Sequence, residues 1–544
     1  MKKYFLIIYL TTFSIALYAQ TWQDTIIKIE KIFSRYKTEN PGCQLSISRN
    51  GKIIFSQAWG MADLERNAPL TTNSIIEAAS VSKQFTAAAI LLLEQQRKLS
   101  LNDDVRKYIP ELPDYGTIIR IKNLIHHTSG LRDWGDIAEM TGWPRTTKSY
   151  SNADALYIIC QQNKLNNLPG DEVIYSNSNY NLLAIIIERS SGMSLADYTA
   201  KYIFEPAEMK NSQWRDNYKR IVANRALAYI KTEKGYETEM PNENIYGNTG
   251  LLTTSEDLIK WNEFYLNGRF GTPSLLANQL APDTLNNGEI NHYAAGLYVQ
   301  EKNGLQCIYH NGSTAGYRCY LANYPQLKLS IAFLSNTSQF GSSAAVKELE
   351  NYLINYKEYP ILKNESKQIT TGEYNNFTGW YKNEKTGHGI CILIKNEELI
   401  LFDNTSLTQT KENEFISGNI IFSFKDYYLL KVIMPNSFGA GTIDTFKYDK
   451  IIAKQIVRNI GEYVGEYFSK EAQASCSIIL NDNNKLILVQ RPGQLLELTP
   501  TYTDGYYIES LEDNLYFKRD LNNKIIKMYI SGDGARNVEF IRIK

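Results

Sequence analysis

The chain has 544 residues, 43% of them hydrophobic and 21% charged, which is ordinary for globular domains with full cores and leaves room for roughly two to four of them. Its 58 basic residues balance 58 acidic ones, so no polyanion-binding footprint stands out and nucleic acid is excluded as an expected partner. Five histidines without an H-E-x-x-H pair, and six cysteines without metal-binding spacing, give no support for a catalytic metal or any other cofactor.

Residues 1–19 read as a signal peptide. Lys2 and Lys3 precede an apolar run from Tyr4 to Leu17, and small Ala19 offers a cleavage point before Gln20. The alternative is a buried N-terminal helix. No cysteine lies near the cleavage point to carry a lipid. No later apolar run reaches membrane-spanning length, so the mature protein is expected to be exported, periplasmic or secreted, without a stable membrane anchor.

Residues 42–60 alternate apolar and polar about Asn50-Gly51, the pattern of a β-hairpin. Next, from Phe85 to Leu93, comes a run apolar on nearly every side, predicting a buried helix with Ser80 at its start and Lys83 one turn in. A lysine entering a core costs several kcal/mol, on the order of the desolvation of any buried charge, unless paired or neutral. Three apart at a helix start, Ser80 and Lys83 share a face, and a buried lysine near a helix N-terminus has a depressed pKa and can act as a base on the serine. The same S-x-x-K spacing at Ser34 and Lys37 has no buried helix after it and reads as surface coincidence.

Further along, Pro169-Gly170 predicts a turn, a short strand leads to Tyr175-Ser176-Asn177, and an apolar helix follows over Asn181 to Ser190. Tyr150-Ser151-Asn152 has the same Y-x-N pattern, but Ser151 or Asn152 fits better as a helix N-cap. A helix is predicted over Ser255 to Leu266, strands over 293–300, 305–310, 317–323 and 328–335, and a closing helix near Ser343 to Tyr356. His310-Asn311-Gly312 then ends one strand and opens a turn, and roughly 0.3 H-x-G matches are expected by chance from this composition. Cys307 and Cys319 flank that turn. Buried free thiols are the preferred reading, with a cross-strand disulfide as the alternative. Strands at both ends with helices between them make this region α+β, the two ends joining one antiparallel sheet.

After about residue 360 short alternating strands take over, with an internal repeat. Phe377-Thr378-Gly379-Trp380-Tyr381 and Tyr463-Val464-Gly465-Glu466-Tyr467 are each followed by a polar stretch, a cysteine strand (Cys391, Cys476), an Asn-rich turn and Leu-Ile-Leu. Two all-β copies predict two small antiparallel barrels of eight short strands over 362–456 and 457–544, rather than one long sandwich.

In their order, the S-x-x-K, Y-x-N and H-x-G elements resemble the serine β-lactamase and penicillin-recognising family, in its class C-like, S12-type branch, over about residues 22–356. Supporting stretches are Asn50-Gly51-Lys52, Trp59-Gly60-Met61-Ala62-Asp63, Ala79-Ser80-Val81-Ser82-Lys83-Gln84-Phe85, Ile125-His126-His127-Thr128-Ser129-Gly130-Leu131, Gly250-Leu251 and Gly316-Tyr317. The resemblance implies that Ser80 forms an acyl-enzyme, with Lys83, Tyr175 or both accepting its proton. It further implies that Asn177 orients Lys83 and the substrate amide, that His310 and Gly312 line the substrate, and that the backbone N–H groups of Ser80 and Ser313 form the oxyanion hole. A free lysine or tyrosine titrates near 10, so holding either deprotonated at pH 7 costs about 4 kcal/mol and mutual proximity and burial must supply it. The resemblance assigns His126 and His127 no proton transfer, so both are read as structural. Many relatives carry Lys-Thr-Gly at the third element. A neutral His310 weakens a carboxylate anchor there and turns the expectation from β-lactamase towards peptidase or esterase work.

With two barrels after the catalytic region, the layout is most similar to D-stereospecific aminopeptidases. The expectation is an exported serine hydrolase of small peptides, amides or esters, D-amino-acid peptides among them. The alternatives are a carboxylesterase or weak β-lactamase on the same scaffold, and a non-catalytic penicillin- or peptidoglycan-sensing module.

Overall fold

A computed structural model describes residues 23–36, 38–145, 147–302, 304–339, 342–354, 374–435, 443–451, 459–491 and 493–544. The expected signal peptide, and Lys37 of the spare S-x-x-K match, lie outside the described residues.

Asn50 and Gly51 hold φ of 53° and 76°, the paired left-handed conformation of a two-residue hairpin turn. They join the strands Cys43–Arg49 and Lys52–Trp59. Those two complete a six-stranded antiparallel sheet in the spatial order Tyr298–Lys302, Leu305–Thr314, Tyr317–Tyr324, Leu329–Ser335, Cys43–Arg49, Lys52–Trp59. The two ends of the region meet from Cys43 opposite Ser335 to Arg49 opposite Leu329. One face of the strand Cys43–Arg49 carries Leu45 and Ile47, packed beneath a helix over 23–33 whose Phe33 ring lies 5.1 Å from Trp59 and 5.9 Å from Phe333. The other face is buried yet polar. Ser46 and Ser48 bond Ser255 and Glu263 of the helix Ser255–Leu266 at 2.8 and 2.7 Å, which fixes that helix across the sheet.

The expected strand over 293–300 is displaced to Tyr298–Lys302. Gly296 turns the chain at φ 78°, where a Cβ would sit 2.6 Å from the Gln84 Cα, so the backbone is bent around the buried helix before it can become extended. The strand predicted over 305–310 runs on to Thr314, so the H-x-G element lies within a strand and not at its end. Pairing with Tyr317–Tyr324 through Thr314 opposite Tyr317 keeps it extended, and Ala315-Gly316 supply the turn. Cys307 and Cys319 are buried free thiols, and Cys319 faces Gly312 rather than Cys307.

The repeat folds as two barrels. Eight strands, from Gly379–Lys382 to Ile443–Lys450, close on themselves in the first. The second has nine strands and not eight, and its ladder stays open between Gln494–Glu497 and Thr499–Pro500, which only Leu498 separates. Proline lacks an N–H for the ladder, consistent with that edge position. Both copies use the same lock: the buried Tyr381 and Tyr467 hydroxyls donate to the Phe377 and Tyr463 carbonyls, at 2.9 and 2.8 Å. Ile137 and Met140 of the helix Trp134–Met140 extend into the core of the second barrel. Its Ser531–Asn537 turn docks on that helix, with Asp133 N–H donating to the Gly534 carbonyl and Gly534 N–H donating to Asp136.

Candidate active site

The buried helix begins later than expected. Ser80 lies in a single 3-10 turn, Ala79–Ser82, that runs directly into the α-helix Lys83–Gln95. In 3-10 geometry side chains three apart eclipse, so Lys83 stands over Ser80 more squarely than along an α-helical face. Ala79 enters the turn at φ 46°, a left-handed conformation that alanine adopts only under tertiary constraint.

Lys83 is fully buried, and its Nζ has three partners: Ser80 Oγ at 3.1 Å, Asn177 Oδ1 at 3.0 Å and the Asn248 carbonyl at 2.8 Å. Two of these can only accept. The third is a hydroxyl that can donate. An ammonium satisfies the set by donating to all three oxygens, and because the Ser80 hydroxyl can also donate, a neutral amine satisfies it too, giving its two protons to the carbonyl oxygens and receiving the Ser80 proton on its lone pair. Burial first, and the Arg145 guanidinium second, push Lys83 well below its ordinary range.

Tyr175 sits with its ring 4.8 Å from Lys83 Nζ. The strand expected before it is absent. Residues 172–176 carry no regular structure, and the helix starts at Asn177 rather than at Asn181. Asp133 accepts the Asn177 backbone N–H, supplying the helix end with the acceptor that Ser176 does not provide. Burial raises the Tyr175 phenol above its ordinary range against an opposing hydrogen bond with Ser80. The competing Tyr150-Ser151-Asn152 is what its pattern suggested: Ser151 caps the helix Asn152–Gln161 through Asp154.

His310 is 1% exposed, its Nε2 3.3 Å from the Tyr293 hydroxyl. Burial above all pushes it down to about 3, so it is neutral at physiological pH. Two residues on, a Cβ at Gly312 would lie 2.6 Å from the Ala78 carbonyl and 3.0 Å from Ser80 N. Only glycine lets the strand approach the nucleophile turn this closely. The neighbouring strand Tyr298–Lys302 ends its pairing at Tyr309, so no strand covers the edge of His310–Thr314 on that side. Asn311 and Ser313 are exposed there, while Ser80, Tyr175 and Asn177 are half-buried. Among the described residues no group of three or more His, Cys, Asp or Glu side chains could hold a metal ion.

Asn248 was not among the expected site residues. Its contribution is a backbone carbonyl, which residue type does not encode. It is held from behind by the neighbouring Thr249 and Gly250, which donate to buried Glu77 at 3.0 and 3.1 Å, and Glu77 is paired with Arg215 at 2.8 Å.

The Beta-lactamase family model matches residues 29–354. Penicillin-binding protein 4* of Bacillus subtilis is 29% identical over 388 residues, covering 65% of this chain and 82% of that protein. A D-aminopeptidase of Brucella canis is 29% identical over 327 residues, 59% of this chain and 60% of that protein. The fold is similar to that of an octameric penicillin-binding protein homologue from Pyrococcus abyssi, with a TM-score of 0.55 at 21% identity, covering 88% of this chain and 99% of that one. With a match over more than half its length, the chain belongs to the beta-lactamase family of serine hydrolases.

Proposed function

We propose that this protein hydrolyses small peptides, amides or esters, D-aminoacyl compounds among them, through an acyl-enzyme on Ser80. Ser80 Oγ attacks the substrate carbonyl carbon while its proton passes to Lys83 Nζ. The oxyanion lies between the Ser80 and Ser313 N–H groups, and Tyr175 relays the proton to the departing amine or alcohol. Water then repeats the sequence to release the acid. The observation that carries this reading is the hydrogen-bond set of Lys83, which a neutral amine satisfies with the Ser80 hydroxyl as its donor. With His310 neutral, the third element offers hydrogen bonding in place of a fixed positive charge, which favours substrates without a carboxylate at that point. The same neutrality favours ester hydrolysis as a second reading. The signal-peptide pattern of residues 1–19 supports a substrate outside the cytoplasm, a reading that N-terminal sequencing of the mature protein checks. Turnover of D-alanine p-nitroanilide beside its L-isomer, with Ser80→Ala as the blank, tests the function. Cleavage of the D-form alone supports the aminopeptidase reading. Cleavage of p-nitrophenyl esters but neither anilide leaves the esterase.

A further inference from the structure

Tyr175 lies in a segment without regular structure, and a single histidine brackets it. The Ile174 N–H donates to the His127 carbonyl at 3.0 Å, and the Ser176 N–H donates to His127 Nδ1 at 3.2 Å. Both neighbours of the tyrosine thus hang on one residue. The His127 ring also lies against the phenol ring, with centroids 4.3 Å apart.

The tautomer follows from its partners. Asn179 Oδ1 accepts from Ser129 Oγ at 2.6 Å, which turns Asn179 Nδ2 towards His127 Nδ1 at 3.1 Å. Two N–H donors aimed at Nδ1 require a lone pair there, so the ring proton is on Nε2. That Nε2 has no hydrogen-bond partner among the described residues and packs among the rings of Tyr175 and Tyr293, the latter 4.6 Å away between centroids. His127 also takes φ 56°, which a β-branched or bulky residue tolerates poorly. An acceptor at the Nδ1 position is therefore what this buried side chain supplies and an apolar one would not.

We propose that His127 is a positioning residue: its neutral, Nε2-protonated imidazole clamps the backbone on both sides of Tyr175 and holds the phenol against Ser80 and Lys83. This rests on the reading of Ser80 as nucleophile. His127 acts through Tyr175 and touches no substrate. Burial holds it well below its ordinary range, in keeping with Nδ1 as an acceptor.

The test is a double-mutant cycle on the full chain, measuring kcat and KM for a p-nitrophenyl ester. His127→Leu removes the acceptor and keeps bulk. His127→Asn puts an amide oxygen near the Nδ1 position. The leucine variant is expected to lose about 100-fold in kcat, the scale of a misplaced catalytic group, with KM little changed. The asparagine variant recovers at least about tenfold of that loss, the acceptor being restored while the ring is not. On a Tyr175→Phe background His127→Leu costs less than about threefold, because the two residues act as a unit. Equal losses in both backgrounds would overturn the clamp, as would unchanged kcat in a folded leucine variant. Should leucine prevent folding, His127→Gln, whose amide reaches the Nε2 position instead, replaces it. Asparagine active and glutamine impaired is then the expected order, and the reverse overturns the proposal. Failure of the hydrolase reading looks different: wild-type turnover then survives Ser80→Ala, and both proposals fall together.

Discussion

Gly312→Ala adds one methyl group where the third element meets the nucleophile turn. That methyl would lie 2.6 Å from the Ala78 carbonyl oxygen, 0.8 Å short of the 3.4 Å at which ordinary contact begins, and 3.0 Å from both the Ala79 Cβ and Ser80 N. All three obstacles belong to buried backbone or to a Cβ, so no side chain can swing aside. The strand or the 3-10 turn must move by several tenths of an ångström. Overpacking of this kind costs about 1–3 kcal/mol, which lowers Tm by only about 1–2 °C per kcal/mol in a domain of more than about 300 residues. Activity should suffer far more. The displacement separates the Ser80 and Ser313 N–H groups, and losing one oxyanion donor costs about 10²–10³ in kcat. Steady-state kinetics on a p-nitrophenyl ester, with Tm measured in parallel, reads both effects. A folded Gly312→Ala variant with kcat within about threefold of wild type would refute the close approach as the basis of the oxyanion hole.

Glu77→Gln leaves buried Arg215 without its full counter-charge and loosens Thr249 beside the Asn248 carbonyl that holds Lys83. Stability should fall by about 3–5 kcal/mol by chemical denaturation, with kcat falling as well. Burial, then Glu139 and Asp533, push Asp513 up to about 8. A carboxyl raised on folding binds more protons folded than unfolded, so its stabilising contribution is full below about 4 and drains away as pH rises towards 8. Asp513→Asn should therefore raise Tm at pH 9 and leave it nearly unchanged at pH 4, and equal effects at both would contradict the burial. Tyr381→Phe and Tyr467→Phe each orphan a buried carbonyl and should each cost about 1–3 kcal/mol by denaturant unfolding.

Much of the fold is legible where local chemistry decides the backbone. Asn50-Gly51 demands a tight hairpin, and Thr254 before the 3.6-residue pattern of Ser255–Leu266 fixes that helix to the residue. Ser151 and Asp154 form a capping box that discards the competing Y-x-N match. The structure brings the expected residues Ser80, Lys83, Tyr175, Asn177, His310 and Gly312 together, and each was legible because its side chain, or the lack of one, carries the expectation. What failed was set from a distance. Asn311-Gly312 has turn composition, yet its partner strand Tyr317–Tyr324 holds it extended. The 3-10 turn at Ser80 depends on the strained Ala79 and on the strand pressed against it. His127 and Asn248 matter through a ring nitrogen and a carbonyl whose aim comes from packing, and no local pattern records that aim. In the second barrel, proline at the Thr499–Pro500 edge and the extra strand depart from the repeat that announced the domain.

The central claim is covalent: Ser80 carries the acyl group. Intact-mass spectrometry of enzyme quenched in acid during turnover of a p-nitrophenyl ester tests it most directly. A single acyl addition mapping to the peptide that contains Ser80, and lost in Ser80→Ala, is the predicted result. Turnover without any adduct, or an adduct of equal yield in Ser80→Ala, would contradict it.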